Sequence, residues 1–144
     1  MARKISEVMT RDVETLRPTD TVRDASESMR SLNVGVLPVC EGERVVGVLT
    51  DRDLIVRAIA LGMEPSITQV SDVMTSNVQV CFEDDDVGSV LERMKKQQLR
   101  RFVVVDRDEA LVGIVSIGDL SQDFDEERVG EALEGISEPA PPRE

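Results

Sequence analysis

The chain has 144 residues and a formal net charge of −12, from 29 acidic and 17 basic residues. This charge repels a phosphate backbone, and three Phe with no Trp or Tyr supply few stacking platforms, so a role in binding nucleic acid is disfavoured. With no His and only two Cys, far apart in sequence, the chain lacks a disulfide framework and the usual zinc-ligand sets, and both thiols are expected to be buried and free.

A hydrophobic content of 40% is enough for a sizeable core in a chain of this length. No apolar run of signal-peptide length follows Met1-Ala2-Arg3-Lys4, and no stretch is long enough to span a membrane. We therefore expect a cytoplasmic protein without membrane association.

The first half of the chain alternates between strand and helix patterns. Its first helix has a polar N-cap at Thr19-Asp20-Thr21 and an apolar stripe at steps of three or four residues. Its hairpin has a short turn at Glu41-Gly42-Glu43, and Gly62 closes the last helix. The predicted elements are a strand over Val13 to Leu16, a helix with Val22, Ala25, Met29 and Leu32 on one face, strands over Val36 to Cys40 and Arg44 to Thr50, and a helix over Asp51 to Leu61.

The second half predicts the same order of elements. Asp84-Asp85-Asp86 supplies the cap and the negative charge that favour a helix N-terminus. The predicted elements are a strand over Val78 to Cys81, a helix with Val87, Val90, Leu91 and Met94 on one face, strands over Phe102 to Val105 and Ala110 to Ser116, and a helix from Ile117. The expected boundaries are a first unit over 1–62, a linker over 63–69, a second unit over 70–122, and a helical extension with a disordered tail over 123–144.

Two segments occur twice in the chain at nearly one spacing. Val8-Met9-Thr10 returns 65 positions later as Val73-Met74-Thr75, and Gly47-Val48-Leu49-Thr50 returns 66 positions later as Gly113-Ile114-Val115-Ser116. Both copies of the second segment continue to an Asp, at Asp53 and Asp119. The chain is therefore a duplicated supersecondary unit, and a site in one copy should have a counterpart in the other.

The helix over Leu54 to Leu61 is apolar on nearly every side, and only Arg57 interrupts it. A chain of this size has difficulty burying such a helix within itself, so a second subunit is the expected cover. We expect a homodimer through this helix, with full burial inside one chain as the alternative.

These repeated residues resemble the cystathionine β-synthase (CBS) domain, and two copies in tandem resemble a CBS pair, or Bateman module. The match runs from Ile5 to Leu120 and includes Leu37-Pro38-Val39 and the stretch from Arg100 to Asp106. Thr50 to Ile55 and the helix after it also resemble the mycobacterial hypoxic-response type. The resemblance implies an α/β (α+β) fold of two β-α-β-β-α units packed pseudo-symmetrically into one module.

The resemblance also implies a regulatory module that binds an adenosine-containing ligand in clefts between the units and signals to a partner protein. AMP, ADP and ATP come first, ahead of S-adenosylmethionine and NADH. No catalytic group of side chains is evident, so we expect no enzyme activity. The alternative is a dimeric interaction or stress protein, independent of any ligand, whose sites are vestigial.

Thr50 with Asp53, and Ser116 with Asp119, are the main candidate binding residues. Each hydroxyl precedes a helix N-terminus, where backbone N–H groups favour a phosphate, and each carboxylate is able to accept from both ribose hydroxyls. The alternative is a helix capping box, which has the same Ser/Thr-x-x-acid pattern. Capping and binding are compatible.

The resemblance further implies that Val13, Thr15, Val36 and Leu37 line one adenine slot and that Val78 and Val80 help to line the other, where ordinary strand packing is the alternative. Arg100 and Arg101 appear only in the second copy, because Gly35 and Val36 stand at the matching positions of the first. Neighbouring strand residues point to opposite faces, so one of the two arginines is expected to meet a ligand phosphate. Exposure of both to solvent is the alternative.

Overall fold

The computed structural model describes residues 3–120, which form two compact units that each combine helices with a β-sheet. Of the described residues, one unit takes 13–78 and 109–111, and the other takes 3–12, 79–108 and 112–120. We call them the 13–78 unit and the 79–120 unit. The extension and tail expected over 123–144 lie outside the described residues.

The 13–78 unit contains a helix, a β-hairpin and a second helix. Helix α1 (Val22–Leu32) is followed by the antiparallel strands β1 (Val36–Glu41) and β2 (Arg44–Thr50) and by helix α2 (Asp51–Asp53). The predicted hairpin is confirmed, and Gly42 adopts φ +62 in its turn. Val22, Ala25 and Met29 are buried as predicted, whereas Leu32, the last residue of α1, is 43% exposed.

The strand predicted over Val13 to Leu16 is wrong in extent. Only Leu16 bridges to β1, where its N–H donates to the Pro38 carbonyl (2.9 Å) and its carbonyl accepts from Cys40 N–H (2.8 Å). Residues 13–15, before Leu16, are in neither a strand nor a bridge. After Leu16 the next N–H, that of Arg17, donates to Asp20 Oδ2 at 2.8 Å in a turn that carries Pro18, so the pairing is limited to one residue.

The helix predicted from Asp51 onward continues from α2 as a π-helical segment, Leu54–Ile59. Its wide turn is visible in the hydrogen bond from Ala60 N–H to the Ile55 carbonyl, which reaches back five residues at 2.8 Å. The bonds from Gly62 N–H to the Ile59 carbonyl and from Met63 N–H to the Ala58 carbonyl, both 3.0 Å, form a Schellman C-cap. Gly62, with φ +73, lies just beyond the helix as predicted.

The 79–120 unit has the predicted strand-helix-strand-strand-helix order. Its strands are β3 (Val80–Phe82), β4 (Arg101–Val105) and β5 (Leu111–Ser116), which form one sheet in that order, with β3 and β4 parallel. Its helices are α3 (Val87–Gln97) and α4 (Ile117–Leu120). Asp86 caps α3 by accepting from Ser89 N–H at 3.2 Å, and the predicted stripe of Val87, Val90, Leu91 and Met94 is buried.

Each of the two hydrophobic cores contains the start of the other unit's sequence repeat. Ile5, which begins the first repeat, is fully buried in the core of the 79–120 unit beside Phe102 and Val115. Its counterpart Val70, which begins the second repeat, is fully buried in the core of the 13–78 unit together with Val73. Each compact unit is therefore completed by the segment that begins the other repeat.

The remaining structural expectations concern the thiols and the membrane. Cys40 and Cys81 are both free and buried, as predicted. Within residues 3–120, no helix has both the length and the apolar character needed to cross a bilayer.

Candidate functional site

The first strand–helix junction lies at Thr50, where β2 ends and α2 begins. Thr50 has extended backbone angles (φ −110, ψ 160), and its Oγ1 accepts from Asp53 N–H at 3.0 Å. In return, Thr50 N–H donates to Asp53 Oδ2 at 3.0 Å. These two reciprocal hydrogen bonds form a capping box and fix the Asp53 carboxylate beside the strand end.

The Asp53 carboxylate is almost enclosed, with 10% of its side chain exposed, and it has further polar neighbours. Arg57 Nε lies 3.7 Å from Asp53 Oδ1, and the Thr75 hydroxyl donates to Asp53 Oδ2 at 3.5 Å. The Arg57 guanidinium also donates to the Met74 carbonyl at 3.3 Å. A buried carboxylate needs such partners, because an unpaired charge is costly away from water.

The second junction, at Ser116, repeats the capping geometry in the 79–120 unit. Ser116 N–H donates to Asp119 Oδ2 at 2.8 Å, and Asp119 N–H donates to Ser116 Oγ at 3.2 Å. The capping interpretation of the pattern is therefore confirmed at both junctions. A ligand-binding role for the same carboxylates stays a prediction.

A third Thr-x-x-Asp pair, Thr21 and Asp24, makes the same two capping hydrogen bonds but does not follow a Gly-containing strand. Thr21 N–H donates to Asp24 Oδ2, and Asp24 N–H donates to Thr21 Oγ1, both at 3.1 Å. This capping box starts α1 and lowers the pKa of the Asp24 carboxyl, chiefly through the hydrogen bond from the Thr21 backbone. The Thr-x-x-Asp pattern alone therefore predicts a helix start. The two junctions differ from the capping box at Thr21 in that they follow a Gly-containing strand.

The apolar residues predicted to line adenine slots have different surroundings. Val36 pairs with Thr50 across the hairpin and is half-buried, so it lies beside the first junction. Leu37 is 2% exposed and belongs to the hydrophobic core of the 13–78 unit. The four other slot residues are exposed or half-buried: Val13, Thr15, Val78 and Val80.

Both candidate arginines are exposed, at the start of β4. The Arg100 carbonyl accepts from Ile117 N–H at 2.8 Å, which holds its backbone next to the second junction. In the 13–78 unit the Gly35 carbonyl accepts from Asp51 N–H at 2.9 Å. The equivalence of Gly35 and Arg100 inferred from the repeat is supported by this shared hydrogen bond.

Sequence reasoning did not predict Thr75 and Arg57 as neighbours of Asp53. Two signals were present: Thr75 belongs to the repeated Val-Met-Thr segment, and Arg57 stands four residues after Asp53, a spacing that brings side chains together on a helix. The Val-Met-Thr segment reaches the first junction because Val48 and Thr75 exchange two backbone hydrogen bonds of 2.9 Å.

Two units with the same junction, each built from a hairpin, a helix and an exchanged segment, define a tandem-repeat α+β module. The CBS domain profile matches residues 5–59 and 70–125, which is most of the chain. The chain therefore belongs to the CBS domain family.

Relatives span nearly the whole length of the chain. YlbB of Bacillus subtilis is 41% identical over 138 residues, covering 94% of this chain and 92% of its own. Hypoxic response protein 1 of Mycobacterium tuberculosis is 26% identical over 134 residues, covering 92% and 93%. The expected similarity to the hypoxic-response type is confirmed.

Two solved CBS structures hold adenosine-containing ligands. CBSX2 in complex with AMP is 25% identical with a TM-score of 0.71, over 83% of this chain and 93% of its own. The CBS domain pair of MJ0100, in complex with 5′-methylthioadenosine and S-adenosyl-L-methionine, is 25% identical with a TM-score of 0.73, over 85% and 95%. Hypoxic Response Protein I has a structure with two coordinated zinc ions. In residues 3–120 of this chain, no three His, Cys, Asp or Glu side chains are grouped to hold a metal.

Proposed function

We propose that this protein is a regulatory CBS pair that senses an adenosine-containing ligand, with AMP, ADP or ATP ahead of S-adenosylmethionine and NADH. The observation that carries the proposal is the pair of matching junctions, each with a carboxylate fixed behind a Gly-containing strand. The AMP complex of CBSX2 and the adenosyl ligands of MJ0100 support this ligand class. The proposed role is regulatory and not catalytic.

The proposed chemistry is recognition of ribose by Asp53 and Asp119. An ionised carboxylate has about four lone-pair positions, so a capping bond from one N–H leaves others that accept from the two ribose hydroxyls. These charge-assisted bonds are stronger than bonds between neutral groups. Because the capping box already fixes each carboxylate, little side-chain entropy is lost when the ligand binds.

The first experiment is a thermal-shift panel of AMP, ADP, ATP, adenosine, S-adenosylmethionine and NADH. A ligand that binds the folded chain raises the melting temperature, and calorimetry then gives its affinity. Asp119→Asn and Asp53→Asn keep an oxygen for the cap and remove the charge, so each should weaken ribonucleotide binding at its own junction by about tenfold.

Asp24→Asn is the matched control, because it changes the same capping box at a helix outside the junctions. It should weaken a capping box of the same type while leaving affinity unchanged. Wild-type affinity in the Asp53→Asn, Asp119→Asn double variant would contradict the ribose role.

The alternative, a protein with vestigial sites, is favoured by one observation at the first junction. Asp53 already contacts Thr50, Arg57 and Thr75, and these partners account for its burial without a ligand. The absence of any thermal shift across the panel would support this alternative for the whole protein.

Homodimerisation is the second part of the proposal. The 13–78 unit exposes a set of large apolar side chains, which we call the apolar patch: Ile55, Val56, Ile59, Leu61, Met63 and Ile67. Ile55 and Ile59 are 62% and 57% exposed, so the described residues 3–120 leave this apolar helix only partly buried. A second copy that presents the same patch would cover it by a two-fold axis. Occupancy of the junctions would then alter the dimer surface that a regulated protein reads.

A further inference from the structure

Gly35 and Arg100 occupy equivalent backbone positions in the two units, but Gly35 has no side chain and Arg100 carries a positive charge. In each unit, the carbonyl before the first hairpin strand accepts from the N–H of the residue that follows the capping hydroxyl. The bonds are Asp51 N–H to Gly35 (2.9 Å) and Ile117 N–H to Arg100 (2.8 Å). Any side chain at this position therefore starts next to the residue that follows the capping hydroxyl, which is Asp51 at the first junction and Ile117 at the second.

At the first junction, a carboxylate takes the space that a side chain at position 35 would need. A Cβ placed on Gly35 would lie 3.0 Å from Asp51 Oδ2 and 3.4 Å from Asp51 Cγ. Asp51 Oδ1 accepts from Arg52 N–H at 2.8 Å, which holds the side chain in place. The next position holds Val36, which carries no charge.

At the second junction the same positions carry cations. Arg100 and Arg101 are exposed, and Ile117, the counterpart of Asp51, is buried in the core at 9% exposure. Arg52 is matched by Gly118. Over these four matched positions, the first junction has one carboxylate and one guanidinium, whereas the second has two guanidiniums and no carboxylate. A further guanidinium near the first junction, that of Arg57, is already paired with the Asp53 carboxylate at 3.7 Å.

We infer that the two junctions divide ligands by charge: the second takes an adenosine-containing ligand that carries a phosphate, and the first takes an adenosyl group without one. A guanidinium forms strong, paired hydrogen bonds with a phosphate, and whichever of Arg100 and Arg101 faces the second junction supplies them. The Asp51 carboxylate repels a phosphate at the equivalent place. This inference rests on the proposed function, because it assigns ligand classes to the sites proposed there.

The test compares AMP with adenosine in proteins that retain one junction. The Asp53→Asn protein reports on the second junction and should bind AMP about tenfold more tightly than adenosine. The Asp119→Asn protein reports on the first junction and should bind adenosine at least as tightly as AMP. Calorimetry at two salt concentrations adds a check, because added salt should reduce the AMP preference of the second junction.

Two further substitutions identify the residues responsible. In the Asp53→Asn background, Arg100→Ala with Arg101→Ala should make AMP and adenosine affinities nearly equal. In the Asp119→Asn background, Asp51→Asn should increase AMP affinity severalfold and leave adenosine affinity unchanged. Arg30→Ala with Lys96→Ala, at exposed side chains of α1 and α3, is the control for loss of two positive charges and should change neither affinity ratio.

If the ratio of AMP affinity to adenosine affinity is the same at the two junctions, the division by charge is overturned and the proposed function still stands. The reverse ratio, with AMP preferred at the first junction, would overturn the division by charge equally. If neither AMP nor adenosine binds the wild-type protein, the division by charge is overturned, and the proposed function falls with it only if no other compound of the thermal-shift panel binds.

Discussion

Met74 lies over Gly47 so closely that its Sδ is 2.6 Å from the place where a Cβ on Gly47 would be. The backbone carbonyl of Thr75 is 3.0 Å from the same point. The other unit repeats this relationship, with Met9 Sδ at 3.0 Å and the Thr10 carbonyl at 2.5 Å from a Cβ on Gly113. Each glycine therefore provides the space in which the exchanged Val-Met-Thr segment pairs with the hairpin.

Gly113→Ala should lower the free energy of unfolding by about 1–3 kcal/mol, because the added methyl group meets a backbone carbonyl that moves only with the pairing of Thr10 and Ile114. Gly47→Ala should cost less, since its nearest contact is the Met74 side chain. Urea unfolding measures both. Gly118→Ala is the control: a Cβ there is 3.6 Å from Ser116 Oγ, an ordinary contact, so no loss of stability is expected.

Ile5→Ala should destabilise the 79–120 unit, although Ile5 lies far in sequence from the strands and helices of that unit, which begin at residue 80. Ile5 is fully buried, and removing most of such a side chain costs about 2–5 kcal/mol. Hydrogen exchange should show the protection of β4 and β5 amides falling more than that of β1 and β2. Val34→Ala, at a side chain that is 40% exposed, is the control. A larger loss of protection in β1 and β2 would contradict the exchange of repeat starts between cores.

Stability should fall in alkaline solution because of Cys81. Burial, followed by the nearby Asp85 carboxylate, raises the pKa of this thiol from 9.0 to about 12. Above about pH 9 the unfolded chain releases the thiol proton while the folded chain retains it, so the free energy of unfolding falls by up to about 1.4 kcal/mol per pH unit until about pH 12. Below about pH 9 the thiol is protonated in both states, so it does not make the free energy of unfolding depend on pH. Urea titrations of the wild type and Cys81→Ala across this range isolate the effect, and parallel pH profiles would contradict it.

Ile55→Glu with Ile59→Glu should convert the proposed homodimer to a monomer. Both side chains belong to the apolar patch, and burying two carboxylates at a two-fold interface brings four like charges together. Light scattering after size-exclusion chromatography should report the mass of two chains for the wild type and of one for the variant. Gln97→Glu, which adds the same type of charge on the exposed end of α3, should remain dimeric. A monomeric wild-type protein would contradict the proposal directly.

Local sequence signals predicted the elements well where hydrogen bonds and burial are local. Thr21, Asp86 and Gly62 mark helix ends as predicted, and the stripe from Val87 to Met94 is buried, because caps and helical periodicity depend on neighbours within a few residues. The strand predicted over Val13 to Leu16 failed because only Leu16 meets β1 in the folded unit, and alternation of apolar residues does not reveal which residues find a strand partner.

The candidate site was predictable in part for the same reason. The repeat located Thr50, Asp53, Ser116 and Asp119, and the capping bonds among them are all within three residues. The Thr75 hydroxyl beside Asp53 comes from 22 residues away, so no local pattern connects them. The contact of Asp51 with the space at Gly35 is likewise a product of the hairpin.

The sequence by itself determined the duplication, the family, the helix caps and the asymmetry between Gly35 and Arg100. Tertiary structure alone decided that Ile5 and Val70 are each buried in the core of the other repeat's unit, and that Asp53 is enclosed by Arg57 and Thr75. The physical reason is that caps and periodicity are read along the chain, whereas burial and ion pairing depend on which distant segments meet, and several partners of similar hydrophobicity are available to each repeat start.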